Sequence, residues 1–213
     1  MKRSVLERNR DLSERYVQPV DSKNLKLNEF LLEILKSEKV MSLIDLGCGD
    51  GIFIHAVKRN YPHKKIVGVD ISPRRINGLQ KKFPKSKFIC ADVCSDFIKQ
   101  KFDFVYSSQV IEHVEDDKMM VNQIKKLVKN KKYVFVSSVI KKPFAVYKYR
   151  NNGKFVLDPT HEREYKNKKD FLKIFEDDFK LIKYRVFPVE RKIFGLMIKI
   201  PGYHIIEGLG TTK

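Results

Sequence analysis

Residues 43–51 read Leu-Ile-Asp-Leu-Gly-Cys-Gly-Asp-Gly, and no other stretch narrows the fold as far. The short apolar run from Val40 to Leu46 has the character of a buried strand. It leads into Gly47, Gly49 and Gly51, three glycines at alternate positions. Ile52 to Asn60 then has helical spacing and is closed by Tyr61-Pro62. Glycine permits a tight turn and lets a ligand come close to the backbone. A strand, a glycine turn and a helix in that order open an α/β sheet with a ligand site at the turn.

The same alternation continues. Strands are expected at Lys65 to Asp70, Lys87 to Ala91, Phe102 to Ser107 and Tyr133 to Val139. Helices are expected at Asn24 to Lys36, at Pro73 to Phe83 with Ser72 as N-cap, and at Asp116 to Lys129. The strands are short and nearly all apolar, as when helices cover both faces of a parallel sheet. After Ile140 the pattern changes. Lys141 to Glu164 has little periodicity and reads as an insertion over the C-terminal edge of the sheet. A helix at Lys168 to Glu176, a strand at Phe179 to Phe187, a short helix at Arg191 to Ile200 and a strand at Gly202 to Leu209 complete the chain. The expectation is an α/β fold: a Rossmann-like seven-stranded, mostly parallel sheet flanked by helices, with an antiparallel closing hairpin. One domain spans 1–213, with 1–22 an N-terminal arm and 141–165 a lid and acceptor insertion.

Three acids make the site more specific. Asp45 closes the first strand, Asp70 ends the second and Asp92 follows the third. All three fall at carboxyl ends of adjacent strands, where open α/β sheets bind ligands. Asp70 can accept both hydroxyls of a ribose, and Asp92 can accept from an adenine amine. A dinucleotide fold also carries glycines and such an acid, but spaces them Gly-x-Gly-x-x-Gly, whereas this chain has Gly47-x-Gly49-x-Gly51. A Walker A loop is absent.

The motifs together resemble those of class I S-adenosylmethionine (SAM)-dependent methyltransferases. Leu43 to Gly51 resembles their first motif, Val67 to Ser72 the second, Ala91-Asp92-Val93 the third, Phe102 to Val114 the fourth, and Leu127 to Ser138 the fifth. The resemblance implies that Asp45, Gly47, Cys48, Gly49 and Gly51 cradle the methionine part of SAM. It places the ribose on Asp70 with Ile71 beside it, the adenine at Asp92 and Val93, and Ser108 and Gln109 near the sulfonium. S-adenosylhomocysteine would be the product. The fifth motif of the family usually turns on a glycine, and here Lys129-Asn130-Lys131-Lys132 stands instead. Asn130 tolerates the left-handed conformation such a turn needs.

Methyl transfer from a sulfonium needs alignment more than covalent help. A hydroxyl acceptor can need a general base, and His113 and His161 are the candidates. Glu112-His113 and the segment from His161 to Tyr165 resemble the branch containing the ubiquinone-biosynthesis O-methyltransferases, and small enzymes acting on sugars or lipid-linked intermediates. A rival branch methylates the 3′-terminal ribose of RNA and holds a metal through Glu-x-x-Glu-His and a distant His. Gln109 stands at the first Glu position, and loss of an anionic ligand weakens a hard-metal site. No metal is expected, although Glu112, His113 and His161 could still cluster.

Composition bears on the acceptor. Lys and Arg total 44 against 26 Asp and Glu, a net charge of +18. Such charge speaks of partners and solubility, not of fold. It suits RNA, with Lys141, Lys142, Lys148, Arg150 and Lys154 interleaved with aromatics. It equally suits a Lys-rich proteome, because the basic residues are spread along the chain. The first expectation is therefore a small-molecule O-methyltransferase whose pocket uses Phe144, Tyr147, Tyr149 and Phe155, with Ile193 to Ile200 adding an apolar wall or touching a membrane. RNA methylation is the alternative, and SAM binding without catalysis the third possibility. Cys48, Cys90 and Cys94 lack disulfide-framework spacing and read as small core or loop residues. No signal peptide or membrane-spanning stretch is visible, so a cytoplasmic protein is expected.

Overall fold

A computed structural model describes residues 4–15, 17, 20, 27–145, 149–151, 153–193 and 196–213. Five parallel strands form the heart of the sheet: β1 (Ser42–Leu46), β2 (Lys65–Asp70), β3 (Lys87–Cys90), β4 (Phe102–Ser108) and β5 (Val128–Lys141). Two long strands, β8 (Phe179–Ile193) and β9 (Leu196–Thr212), close it antiparallel, giving the order β3-β2-β1-β4-β5-β9-β8. A separate small hairpin, β6 (Tyr149–Asn151) with β7 (Lys154–Val156), lies in the insertion. The helices are α1 (Val5–Arg15), α2 (Leu32–Lys36), α3 (Ile52–Asn60), α4 (Pro73–Lys82), α5 (Asp117–Leu127) and α6 (Lys168–Lys173).

The all-apolar strands follow from burial on both faces. Neighbouring residues serve opposite layers: Leu43, Phe104 and Phe135 join one buried cluster, while Ile44, Val105, Val134 and Val136 join the other. Each such side chain contributes about 1.5–3 kcal/mol on burial. Asp103 pins the far end of the sheet. Its Oδ2 accepts from the amides of Met41 (3.1 Å) and Ser42 (3.0 Å) and from Ser42 Oγ (2.8 Å), and Lys129 pairs with Oδ1 at 3.1 Å. Burial opposes ionisation of this carboxyl, but those donors outweigh it and hold the pKa well below the usual range.

Chain order puts the site at one place. From β1 the chain steps outward to β2 and β3, then returns to the other side of β1 as β4. The crevice between diverging connections at the C-terminal ends of β1 and β4 is where such sheets bind ligands.

Four sequence expectations need correction. The helix expected at Arg191 to Ile200 is strand, because β8 and β9 run past the sheet as a two-stranded ribbon paired to Ile193↔Leu196. Leu196, Met197 and Ile198 are all exposed there, so no alternating burial marks the segment as strand. The helix expected from Asn24 is a 3-10 turn, Glu29–Leu31, followed by α2; Asn28 caps the turn by accepting from the Phe30 amide at 3.0 Å. Residues 24–26 lie outside the described residues. The fifth strand starts at Val128, directly after α5, and the left-handed residue is Lys131 (φ +54°), not Asn130. A register shift between Phe102 and Phe104 takes up the extra length.

Candidate active site

Gly47, Gly49 and Gly51 all have positive φ, at +72°, +53° and +81°. L-residues with side chains rarely adopt that region. A Cβ on Gly47 would lie 2.3 Å from Val110 Cγ2, and one on Gly51 would lie 2.5 Å from Leu79 Cδ2. These two glycines let the segment after β4 and helix α4 close against the turn. The amides of Gly47 and Cys48 donate to Val69 O at 2.8 and 2.9 Å, tying the turn to the end of β2.

Asp70 organises the same corner. Its Oδ2 accepts from the Gly49 amide at 2.8 Å and its Oδ1 from the Ser72 amide at 2.9 Å. Burial raises its pKa, with those two hydrogen bonds and the Arg75 charge pulling the other way. Asp45 is 2% exposed, and burial with the nearby Asp70 charge raises its carboxyl well above the usual range.

A cavity of about 1280 Å³ opens over these strand ends. Of the residues expected at a cofactor, Gly47, Asp70, Ile71, Asp92, Val93 and Gln109 line it. Asp45, Cys48, Gly49, Gly51 and Ser108 are not in its wall. Cys48 is buried, and burial pushes its thiol well up. Asp92 Oδ1 accepts from the Cys94 amide at 2.9 Å, which fixes the turn after β3. Ser108 Oγ meets Ser137 Oγ at 2.8 Å, and Gln109, held at φ +57°, donates from Nε2 to Ser137 Oγ at 3.2 Å. A non-glycine residue in that conformation stores strain, a feature that clusters at functional sites.

Helix α1 forms a wall of the cavity through Val5, Leu6, Asn9, Leu12 and Ser13. Polar contacts dock it at three places. Arg8 pairs with Glu162 and donates to Asn151 Oδ1 at 3.2 Å. Asn9 Nδ2 donates to His113 O at 2.7 Å. Glu14 accepts from Ser72 Oγ and from the Arg74 amide, and these hydrogen bonds lower its pKa.

His113 and His161 meet beside the cavity with ring centroids 4.8 Å apart. His113 is half-buried and lines the cavity; His161 is 5% exposed and sits behind it. His113 Nδ1 lies 2.8 Å from Thr160 Oγ1, whose hydroxyl donates to Asp158. His161 Nδ1 lies 2.7 Å from Glu164 Oε1. Burial, then the His161 charge, lowers the His113 pKa to about 4, so this ring is neutral near pH 7. Glu112 is fully buried, and burial pushes its carboxyl up to about 7 although Ser138 Oγ donates to it at 3.0 Å. The expected possibility that Glu112, His113 and His161 cluster is realised: one ligand atom from each lies within 4.8 Å of the others.

Sequence reasoning missed the residues that hold this arrangement. Arg163 donates from Nη1 to Ile111 O (2.9 Å) and Val114 O (2.6 Å), and from Nη2 to Glu115 O. One guanidinium thereby fixes the whole loop after β4. Arg163, Asp158 and Thr160 stand beside His161 in a segment dense in polar residues, the only signal available. The aromatic pocket needs correction: Tyr149 lines the cavity, but Phe144 (71% exposed) and Phe155 (45% exposed) do not, and Tyr147 lies outside the described residues. The segment Ile193 to Ile200 contributes no described residue to the cavity wall. Cys90, expected at the end of a buried strand, is exposed on the edge strand β3.

Known proteins share this frame. A family profile described as a methyltransferase domain matches residues 16–178. A malonyl-[acyl-carrier protein] O-methyltransferase of Ilyobacter polytropus is 28% identical over 95 residues, covering 43% of this chain and 35% of that protein. A ubiquinone biosynthesis O-methyltransferase of Pelagibacter ubique is 29% identical over 110 residues, covering 50% of this chain and 45% of the relative. The matched segments span about a third to just over half the length of the first curated relatives. In fold the chain is similar to TehB from Haemophilus influenzae, with a TM-score of 0.69 at 14% identity over 94% of this chain and 67% of that one.

Proposed function

The chain belongs to the methyltransferase-domain family, with SAM as methyl donor, and from that premise we propose that it methylates an oxygen of a small-molecule acceptor. The observation that carries the reading is the placement of two unlike ends on one cavity. Asp70, Asp92 and the Gly47 turn supply a nucleoside end, and His113 supplies an acceptor end.

In this reading Asp70 takes the ribose hydroxyls, with Ile71 beside it. Asp92 and Val93 bound the adenine. Gly47 lets the methionine part of SAM approach the turn, with Cys48, Gly49 and Gly51 shaping the turn from behind and Asp45 closing it. Gln109, with Ser108 behind it, faces the sulfonium. Bound there, SAM would supply an activated methyl group to the acceptor oxygen, with S-adenosylhomocysteine as the product. The acceptor proton passes to neutral His113, whose ring is held through Thr160 to Asp158, the nearby carboxylate that favours its charged form. Helix α1 covers the cavity, keeping water from the sulfonium. Proximity of donor and acceptor in such a closed space supplies most of the acceleration.

The relatives' names, malonyl-[acyl-carrier protein] O-methyltransferase and ubiquinone biosynthesis O-methyltransferase, support a small or carrier-linked acceptor. The exposed apolar ribbon tip at Leu196, Met197 and Ile198 gives a lipid-linked acceptor, or a membrane surface presenting one, a place to dock. No helix among the described residues is long and apolar enough to cross a membrane. The test is incubation with methyl-labelled SAM and separate pools of phenols and quinols, carboxylic acids, lipid-linked intermediates and RNA. Label in a small-molecule pool supports the reading. Label only in RNA replaces it with the nucleic-acid alternative suggested by the net charge of +18.

A further inference from the structure

A second cavity, of about 560 Å³, lies between α6 and the closing strands. It shares no wall residue with the cavity at the strand ends. Its origin is a mismatch of length. Strands β5, β8 and β9 have 14, 15 and 17 residues, whereas α6 has six and is about 9 Å long. So short a helix covers only part of the sheet face on which it packs. Phe171 and Leu172 of α6, with Phe175 just after it, form the helix side of the cavity, and Val134, Val136 and Leu181 form the sheet side. Gly208 and Gly210 of β9, paired with Val136 and Val134, put no side chain on the floor. A Cβ on Gly208 would lie 3.6 Å from Phe171 Cε1 and 3.8 Å from Leu172 Cδ2, which are ordinary contact distances. The position has room for a side chain that it does not carry.

Protein interiors pack closely and hold few voids larger than a water molecule. Apolar walls also make a poor site for water. The volume falls within the range of about 300–1,000 Å³ found for small-molecule sites, which join apolar walls to a few placed polar groups. The charged side chains in this wall are Lys169, Lys173 and Glu176. Lys169 and Lys173 stand four positions apart on α6, one turn above the other on the same face. Neither ammonium has a hydrogen bond or ion pair among the described residues. Like charges at that spacing repel, and an anion beside them relieves the repulsion. Two ammoniums against the one carboxylate of Glu176 leave the mouth with a single excess positive charge.

We propose that this cavity binds a long-chain carboxylate, with its aliphatic chain between α6 and the sheet and its head group at Lys169 and Lys173. The apolar walls hold the chain by taking its surface out of water. A single excess positive charge matches a carboxylate better than a phosphate monoester, which carries nearly two negative charges. An ammonium head would meet two like charges instead. The site does not depend on the methyl-transfer reading, because no residue of its wall takes part in that chemistry.

The experiment titrates the full-length protein by calorimetry with dodecanoate below its micellar concentration and, separately, with dodecylammonium and dodecyl phosphate. One dodecanoate per chain is expected, with dodecylammonium weaker by about 10-fold or more. Gly208→Leu places its side chain in the cavity and should weaken dodecanoate by about 10-fold or more. The double variant Lys169→Met, Lys173→Met should weaken it by about 5-fold, the scale of exposed charge pairs, and Glu176→Gln should tighten it by about 2- to 5-fold. SAM affinity, which depends on the other cavity, should stay as in wild type in all of them. Circular dichroism and melting temperature check each variant's fold. The charge variants, at exposed positions, keep the test valid if Gly208→Leu misfolds. Absence of saturable dodecanoate binding by folded protein overturns the proposal. So does dodecanoate affinity unchanged in Gly208→Leu and in the double lysine variant, or tighter binding of dodecylammonium or dodecyl phosphate than of dodecanoate.

Discussion

The side chain of Asp70 accepts a hydrogen bond from the backbone amide of Gly49 at 2.8 Å. The acid at the end of β2 is thereby joined to the glycine turn at the end of β1, and two motifs become one corner. A carboxylate has room for further acceptance beyond the two amides that Asp70 already holds. Asp70→Ala should weaken SAM binding at least 10-fold, since hydrogen bonds to a charged group are worth about 1.5–3 kcal/mol. Calorimetric titration with the variant reads this directly.

Gly47→Ala should damage both stability and binding. The residue sits at φ +72°, and its new Cβ would meet Val110 at 2.3 Å. The backbone strain alone costs about 1–2 kcal/mol, and the displaced Val110 adds to it. Denaturant unfolding should show the loss. Gly153→Ala has comparable strain (φ +74°) but open space around the Cβ, and it should cost less and leave SAM affinity unchanged.

Much of this corner can be read from the chain itself. The alternate glycines and the acids at strand ends are local patterns, and helices covering both faces force the strands to be apolar throughout. The β8–β9 ribbon is not legible, because beyond the sheet edge nothing imposes alternating burial on Leu196 to Ile198. Nor is the support of the acceptor end. His113 and Thr160 are 47 positions apart, and only the fold shows that one orients the other. Lys131 rather than Asn130 takes the left-handed position because strand register, not residue preference, places the turn.

Arg163→Ala should slow turnover with little effect on SAM affinity. The guanidinium fork fixes carbonyls of Ile111, Val114 and Glu115, which carry His113 between them. The misplaced acceptor end should slow methyl transfer by about 10-fold or more, read as the rate at saturating SAM. Arg163→Lys, which lacks the planar fork, should recover only part of it.

Asp103→Asn should destabilise the protein without touching the site. Its carboxylate receives two amides, a hydroxyl and a lysine, and losing the charge should cost about 2 kcal/mol at neutral pH. The folded pKa is depressed, so this stabilisation is present above the ordinary carboxylate value of about 4 and is lost as pH falls below it. The gap between wild type and variant in denaturant unfolding should therefore narrow below about pH 4. A gap that widens in acid would show that Asp103 is not held ionised.

Removal of residues 1–15 should weaken SAM binding at least 10-fold, because α1 supplies a wall of the cavity and docks through Arg8, Asn9 and Glu14. Unchanged affinity in the shortened protein would mean that the helix only covers the site.

The most direct measurement is calorimetric titration of the folded wild-type protein with SAM and, in a parallel cell, with NAD. One SAM per chain is expected, bound at micromolar concentration, with no NAD binding and a marked loss of SAM affinity in Asp70→Ala. NAD binding in place of SAM, or no SAM binding by well-folded protein, would contradict the assignment of SAM to this cavity.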